Sequence, residues 1–158
     1  MPANSTISII MPMYNAAAFL PGALACICSQ TWTDWELVAV DDGSSDETAE
    51  LFKRLTAEIP QPVRYHRQEN GGGFAARNTG LDLATGGFLA FYDCDDQWFP
   101  MHLSRCMEEL ERNPEVDWVY ATNSVVDLTD NTVLNENIFY EPDGTPRKML
   151  SLKKRLSF

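Results

Sequence analysis

The sequence predicts an α/β fold, a mainly parallel sheet flanked by helices. Apolar runs of strand length alternate with stretches of helical period from Ser5 to Ala121, which is the pattern of successive βαβ units. Three of these runs end in polar or acidic residues, at Tyr14-Asn15, at Asp41-Asp42 and at Asp93 to Asp96. Open parallel sheets bind ligands beyond the carboxyl ends of their strands. If the three strands are neighbours, their polar ends converge on one crevice.

Each element has its own reason. "TISIIMPMY" is a near-continuous apolar run, read as a buried strand stopped by Pro12. "NAAAFLPGALACICSQ" follows as a helix with Asn15 as candidate N-cap, weakened early by Pro21 and Gly22. "WELVAV" is the second strand, and Ser44, Ser45 or Asp46 can cap the helix "ETAELFKRLTAEI". "PVRYHRQ" alternates as a short strand that "NGGG" breaks. "FAARNTGLDLAT" has helical period, with Phe74, Arg77, Leu81 and Ala84 on related faces. "GGFLAFYD" is a buried strand, "MHLSRCMEELERN" a helix and "EVDWVYA" a further strand. "SVVDLTDNTVLNE" reads as a hairpin turning at Thr129 to Thr132. The expected organisation is an α/β domain over residues 1–122, followed over 123–158 by the hairpin and a basic tail.

Composition narrows the function. The 158 residues carry a formal net charge of −11, and five of the twelve basic residues fall after position 146. Residues 1–146 therefore hold 23 acids against seven bases, a net of −16. Such a body repels a nucleic-acid backbone and suits cations, or an anionic ligand escorted by one. No apolar run approaches the roughly 20 residues of a membrane span, and no basic segment with an apolar core opens the chain. The expected location is the cytoplasm. Cys26 and Cys28 are two apart on a helix, and Cys94 and Cys106 lack zinc-like spacing. All four cysteines are expected as small buried residues.

The acidic stretch "YDCDDQW" is the most informative part of the chain. Asp93, Asp95 and Asp96 crowd like charges behind a buried strand, so a cation has to offset them. Carboxylate oxygens suit Mg²⁺ or Mn²⁺, which typically take one or two protein carboxylates and complete their shell with substrate phosphates. The D-x-D spacing sends Asp93 and Asp95 to one side if the strand conformation persists. The bland alternative is a solvated acidic turn capping the helix near Pro100. Tyr14 could stack on a planar base or simply pack at the sheet edge. Asp41 could accept the N–H of such a base, with Asp42 capping the next turn. Arg77, near a helix start where a cation is disfavoured, points to a phosphate or one of the aspartates as partner, against the plain alternative of a surface arginine. A rival reading comes from Gly71 to Ala76, which match G-x-G-x-x-A with Asp93 lying 20 residues past Gly73. That outlines a dinucleotide fingerprint, but the carboxylates nearby would repel a pyrophosphate without a cation.

The ordered set "PMYN", "VDDGSSDET" and "NGGGFAARNTGLDLATGGFLAFYDCDD" resembles the nucleotide-binding half of family 2 glycosyltransferases. The resemblance covers Ser5 to Ala121. It implies an A-type glycosyltransferase fold with a Rossmann-like nucleotide-binding half. Tyr14 and Asp41 would then lie against the base, uridine in this reading, with Pro12 also at the nucleotide. Asp93 would lie near the ribose, Asp95 on Mg²⁺ or Mn²⁺, and Arg77 beside the nucleotide. The implied reaction is transfer of a sugar from a nucleotide-diphosphate donor to a hydroxyl of a saccharide or lipid-linked acceptor, with inversion. No segment after Ala121 resembles the family's general-base motif, and Asp127, Asp130 and Glu136 are not assigned to that role. The chain is therefore expected to be the donor-binding half of a longer enzyme, or a nucleotide-binding module inactive by itself. Leu150, Leu152, Leu156 and Phe158 interleave with Lys153, Lys154 and Arg155. That pattern allows peripheral contact with an anionic membrane surface at its inner face, against the plainer reading of a basic segment inside a domain.

Overall fold

The computed structural model describes residues 4–120 and two short strands at 125–126 and 133–135. The chain separates into two compact units, Met1–Glu115 and Val116–Phe158. The first is built on four parallel strands, β1 (Ile7–Met13), β2 (Trp35–Asp41), β3 (Val63–Arg67) and β4 (Phe88–Phe91), in the spatial order β3-β2-β1-β4. Its helices are α1 (Leu20–Cys28), α2 (Thr48–Thr56), α3 (Gly73–Leu83) and α4 (His102–Arg112). β1 therefore has β2 on one side and β4 on the other, and their carboxyl ends are adjacent.

The continuous apolar runs of β1 and β2 follow from helices covering both faces. Ile9, Met11, Leu37 and Ala39 point into a large core with Leu20, Ile27, Phe52 and Leu103. Val38 and Val40 point the other way and meet Ala76 of α3. A fully buried aliphatic side chain contributes about 1.5–3 kcal/mol, so these two strands anchor the unit. α3 approaches so closely that a Cβ on Gly80 would lie 2.4 Å from Ile10 Cγ2. This approach selects small residues, so the face that α3 turns to the sheet is not the one shared by Phe74 and Leu81. Ala76 and Gly80 are buried, whereas Phe74 and Leu81 are exposed.

Other local expectations change as well. β1 does not stop at Pro12 but runs through it to Met13. The Met13 carbonyl accepts the Asp42 N–H on the β2 side, so Pro12 faces β4, whose ladder has already ended at Ile10↔Phe91. A missing donor costs nothing there. Asn15 does not cap α1, which starts at Leu20. Asn15 instead adopts a positive φ of 48°, and its Oδ1 accepts the Ser45 N–H at 2.8 Å. The Asn15 N–H bonds Ser44 Oγ at 2.9 Å, which ties the end of β1 to the end of β2. Asp46 accepts the N–H of Thr48 at 3.0 Å, one residue before the N-cap position of α2. The N-cap residue of α4 is Met101, which makes no side-chain cap bond, so the acidic stretch is not a helix cap. Residues 115–120 are not a strand. Val116 and Trp118 are exposed, and strand propensity needs a half-buried surface to act on. Cys28 is exposed and the other three cysteines are half-buried, so none is the fully buried small residue expected.

At the amino-terminal end of the sheet Glu36 is buried beside Ser8, its register partner. Its Oε1 accepts from Ser8 Oγ at 2.6 Å and from the Thr85 N–H and Oγ1 at 2.6 and 2.9 Å. This fastens the loop between α3 and β4. The second unit contains an antiparallel pair, β5 (Val125–Val126) and β6 (Val133–Asn135). The expected hairpin turn and the basic tail lie outside the described residues.

Candidate functional site

The ends of β2, β1 and β4 border a cleft of about 250 Å³. Pro12 and Tyr14 line it from β1 and the residues after it, Asp42 from the end of β2, Arg77 from α3, and Asp93 and Asp95 from the loop after β4. Five of the six residues singled out from the sequence thus share one wall system, and Asp41 is the exception. Tyr14 keeps 56% of its surface exposed, so its ring face is open to a ligand.

The adjacent aspartates Asp41 and Asp42 exchange the placements expected of them. Strand alternation turns Asp41 toward the face that holds Leu37, where it is fully buried. Its Oδ1 accepts the Ser44 N–H at 2.8 Å and its Oδ2 the Tyr65 hydroxyl at 2.7 Å, with Arg67 at 3.6 Å. Burial pushes this carboxyl up, but the bonds from Tyr65 and Ser44 and the Arg67 charge outweigh it and leave the group below its ordinary value. Burial followed by the Asp41 carboxylate pushes the Tyr65 phenol up to about 12. It is therefore Asp41 that holds the turn after β2. Asp42 faces α3, where its Oδ1 accepts from Gln68 Nε2 and the Gly71 N–H and its Oδ2 from the Gly72 N–H, all at 2.8–2.9 Å. Burial raises the Asp42 carboxyl, and these bonds more than reverse that. The glycine loop is thereby spent on a protein carboxylate. The Gly71 and Gly72 N–H groups are therefore not free for a pyrophosphate, which counts against a dinucleotide fingerprint.

The strand conformation does not persist through the acidic stretch. β4 ends at Phe91, and the Asp96 N–H closes a turn onto the Asp93 carbonyl at 2.9 Å. Asp93 and Asp95 reach the cleft through this turn rather than through strand alternation. Arg77 Nη2 donates to Asp93 Oδ1, so an aspartate is the partner that Arg77 called for. Burial, then the charges of Asp93 and Asp95, raise the Asp96 carboxyl. The same causes push the Cys94 thiol up to about 12, and its Sγ rests 3.5 Å from the Pro12 carbonyl.

The loop has a footing that sequence reasoning missed. Gln30, buried just after α1, donates to the Phe99 carbonyl at 3.0 Å and accepts the Leu103 N–H at 3.2 Å. Cys26 Sγ accepts the Trp98 N–H at 3.0 Å. The Trp98 ring packs edge-on against buried Tyr92 and stacks on His102, and the Tyr92 hydroxyl bonds the Asp96 carbonyl at 2.7 Å. The signal was present as a polar glutamine after an apolar helix, but its partner lies about seventy residues away.

Among the described residues no three His, Cys, Asp or Glu side chains form a ready-made metal cage. The donor set still fits Mg²⁺ or Mn²⁺. Asp93 and Asp95 supply hard carboxylate oxygens on the cleft wall, and ions of this type leave the remaining positions to water and phosphate. Among the described residues no helix is long and apolar enough to cross a membrane.

Fold and cleft together define an α/β protein of the kind that takes ligands at the carboxyl ends of parallel strands. The model for "Glycosyl transferase family 2" matches residues 8–158, and the chain belongs to that family. It is 39% identical over 115 residues to a PGL/p-HBAD biosynthesis glycosyltransferase of Mycobacterium tuberculosis, covering 72% of this chain and 45% of the relative. It is 32% identical over 129 residues to chondroitin synthase of Escherichia coli, covering 82% of this chain and 19% of that one. The chain thus spans less than half the length of these relatives. Among solved structures, the mannosyltransferase PcManGT from Pyrobaculum calidifontis, in complex with GDP-Man and Mn²⁺, is similar at 28% identity and a TM-score of 0.63. The match covers 68% of this chain and 32% of that one. Staphylococcus aureus TarS in complex with UDP shares the fold at 24% identity and a TM-score of 0.63, over 77% and 34% of the two chains. The α/β class and the A-type glycosyltransferase fold expected from the sequence agree with these likenesses.

Proposed function

We propose that this chain is the donor-binding portion of an inverting glycosyltransferase, and that the cleft at the ends of β1, β2 and β4 holds a nucleotide-diphosphate sugar, with uridine as the base. The observation that carries this reading is the convergence of Tyr14, Arg77, Asp93 and Asp95 on one cleft. An open aromatic ring, a guanidinium and two carboxylates match a base, a phosphate and a phosphate-bound cation in turn. Family membership and a similar structure with GDP-Man and Mn²⁺ support the same ligand class.

Each residue has a role in this reading. Tyr14 stacks on the base and Pro12 shapes the floor beneath it. Asp41 fixes the base-side wall through Ser44 and Tyr65, since the cleft does not expose it. Asp93 stands near the ribose, and Asp95, with no ion-pair partner among the described residues, would hold Mg²⁺ or Mn²⁺. When bound, such an ion neutralises charge that develops on the departing diphosphate. Arg77 supplies a second positive charge to the same oxygens. A carboxylate must still deprotonate the acceptor hydroxyl, and no described residue is assigned to that step. The acceptor is a saccharide or a lipid-linked saccharide, and contact of the basic tail with an anionic membrane surface belongs to the same proposal.

Calorimetric titration with UDP, GDP and dTDP, each with and without Mn²⁺, tests the reading. UDP should bind best, and more tightly with Mn²⁺. Asp95→Ala should abolish most of the metal-dependent gain, about tenfold or more, by analogy with losses at functional metal sites. UDP affinity that is indifferent to chelator in the intact protein would remove the metal from the site.

A further inference from the structure

Arg77 is the only basic residue among the described residues that pairs with the three aspartates after β4. It reaches Asp93 from α3 with its side chain 29% exposed, against 46% for Asp93. The guanidinium lies back across Gly73, where a Cβ would come within 3.1 Å of Nη1, so the first residue of α3 leaves room for the arm. Asp95 shares the cleft wall with Asp93 but has no such partner. One of the three negative charges of the acidic loop is therefore neutralised by the protein itself.

A guanidinium and a divalent cation compete for one carboxylate. With Arg77 on Asp93, a free cation meets Asp95 without the charge of Asp93 and with a positive charge beside it. A diphosphate changes the balance, because arginine's planar fork matches phosphate as well as carboxylate and the incoming anion offers more negative charge than Asp93. Resting on the donor-site reading above, we infer that Arg77 is a lock on the acidic loop. In the nucleotide-free protein it holds Asp93 and depresses affinity for a divalent cation. The diphosphate of the donor draws Arg77 away, and the uncovered charge of Asp93, while its carboxylate faces the ribose, then adds to the attraction of the cation for Asp95. Cation and nucleotide consequently strengthen each other's binding by the same factor, as linkage requires. The cleft fills with metal when a donor arrives rather than before.

The lock predicts a gain from a loss. Mn²⁺ is titrated into the nucleotide-free chain, wild type and Arg77→Gln, and free Mn²⁺ is followed by electron paramagnetic resonance. Arg77→Gln should bind Mn²⁺ about fivefold more tightly than wild type, the scale of a partly exposed charge interaction. The factor by which Mn²⁺ tightens UDP binding should shrink by a similar amount in calorimetry. Unchanged or weaker Mn²⁺ binding by Arg77→Gln overturns the lock. Should that variant lose the wild-type circular dichroism spectrum, Arg77→Met, which keeps the aliphatic stem, carries the same expectation and the same refutation. A wild-type chain that binds no UDP, with or without Mn²⁺, would instead overturn the donor-site reading, and the nucleotide-free titration does not depend on that result.

Discussion

Glu36 and Asp95 sit near opposite ends of the same parallel sheet, and they are acidic in different senses. Glu36, at the amino-terminal end, is buried and accepts three hydrogen bonds from Ser8 and Thr85. Burial raises its carboxyl, and those bonds, with the Arg64 charge, bring it below its ordinary value. Asp95, at the carboxyl end, is exposed on the cleft wall and makes no hydrogen bond or ion pair among the described residues. A carboxylate whose lone pairs are filled by its own chain serves the fold. One left open beside others of its kind is available to a ligand. The comparison separates the acids of this protein by their partners rather than by their number.

The largest expected effect lies at the satisfied end. Glu36→Ala leaves the Ser8 hydroxyl and Thr85 donors without their acceptor and should lower stability by about 2–3 kcal/mol. Urea denaturation at pH 7 measures it, while UDP affinity of the folded variant should be unchanged. The sign with pH follows from the depressed value. The contribution of Glu36 is complete above the 4.5 of an ordinary glutamate and is lost as pH falls through its lowered folded value. If Glu36→Ala were as stable as wild type, satisfaction of lone pairs would not distinguish the two ends.

The next effect sharpens the comparison within the cleft region. Tyr14→Ala should weaken UDP binding about tenfold, since an aromatic stack on a base contributes about 1–3 kcal/mol, without loss of stability. Asp46→Ala, which removes the acceptor of the Thr48 N–H, should cost about 1 kcal/mol of stability and leave UDP affinity alone. Parallel calorimetry and thermal melts separate the two. Equal affinity losses in both variants would undo the assignment of Tyr14 to the base.

The smallest effect concerns Asp96, whose carboxyl is raised by burial and by Asp93 and Asp95. A raised folded value means that the charged form opposes folding above the ordinary carboxylate range. Asp96→Asn should therefore stabilise the metal-free protein at pH 7 by a few tenths of a kcal/mol, discounted for solvent screening. At pH 3, where the carboxyl is protonated in both states, the difference should vanish. A destabilised Asp96→Asn at pH 7 would mean that the three aspartates do not strain one another.

How much of this was legible in the sequence depends on whether a residue's partner is local. The four strands of the first unit and their helices were readable because apolar runs and helical period are short-range signals. The convergence of Tyr14, Asp93 and Asp95 followed from strand ends alone, given neighbouring strands. The fates of Asp41 and Asp42 were not legible. They depend on Tyr65 and on Gly71, which the register β2·β3 and the packing of α3 bring to opposite faces of the sheet. The inward face of α3 was not legible for a related reason. Helical period alone does not say which face is buried, and the distance between α3 and β1 at Ile10 selects Ala76 and Gly80. Residues 115–120 have the composition of a strand without the burial that makes one.

The footing of the acidic loop on Cys26 and Gln30 has a thermodynamic consequence. Ordering a residue's backbone typically costs about 1–2 kcal/mol, and a loop that is ordered only on binding subtracts that cost from affinity. Here the Phe99 carbonyl, the Leu103 N–H, the Trp98 N–H and the Asp96 carbonyl are all held within the protein itself. The entropy of the loop is surrendered when the chain folds. A ligand that reaches Asp93 and Asp95 meets carboxylates already standing in place, and under the lock inferred for Arg77 it is that side chain which gives way.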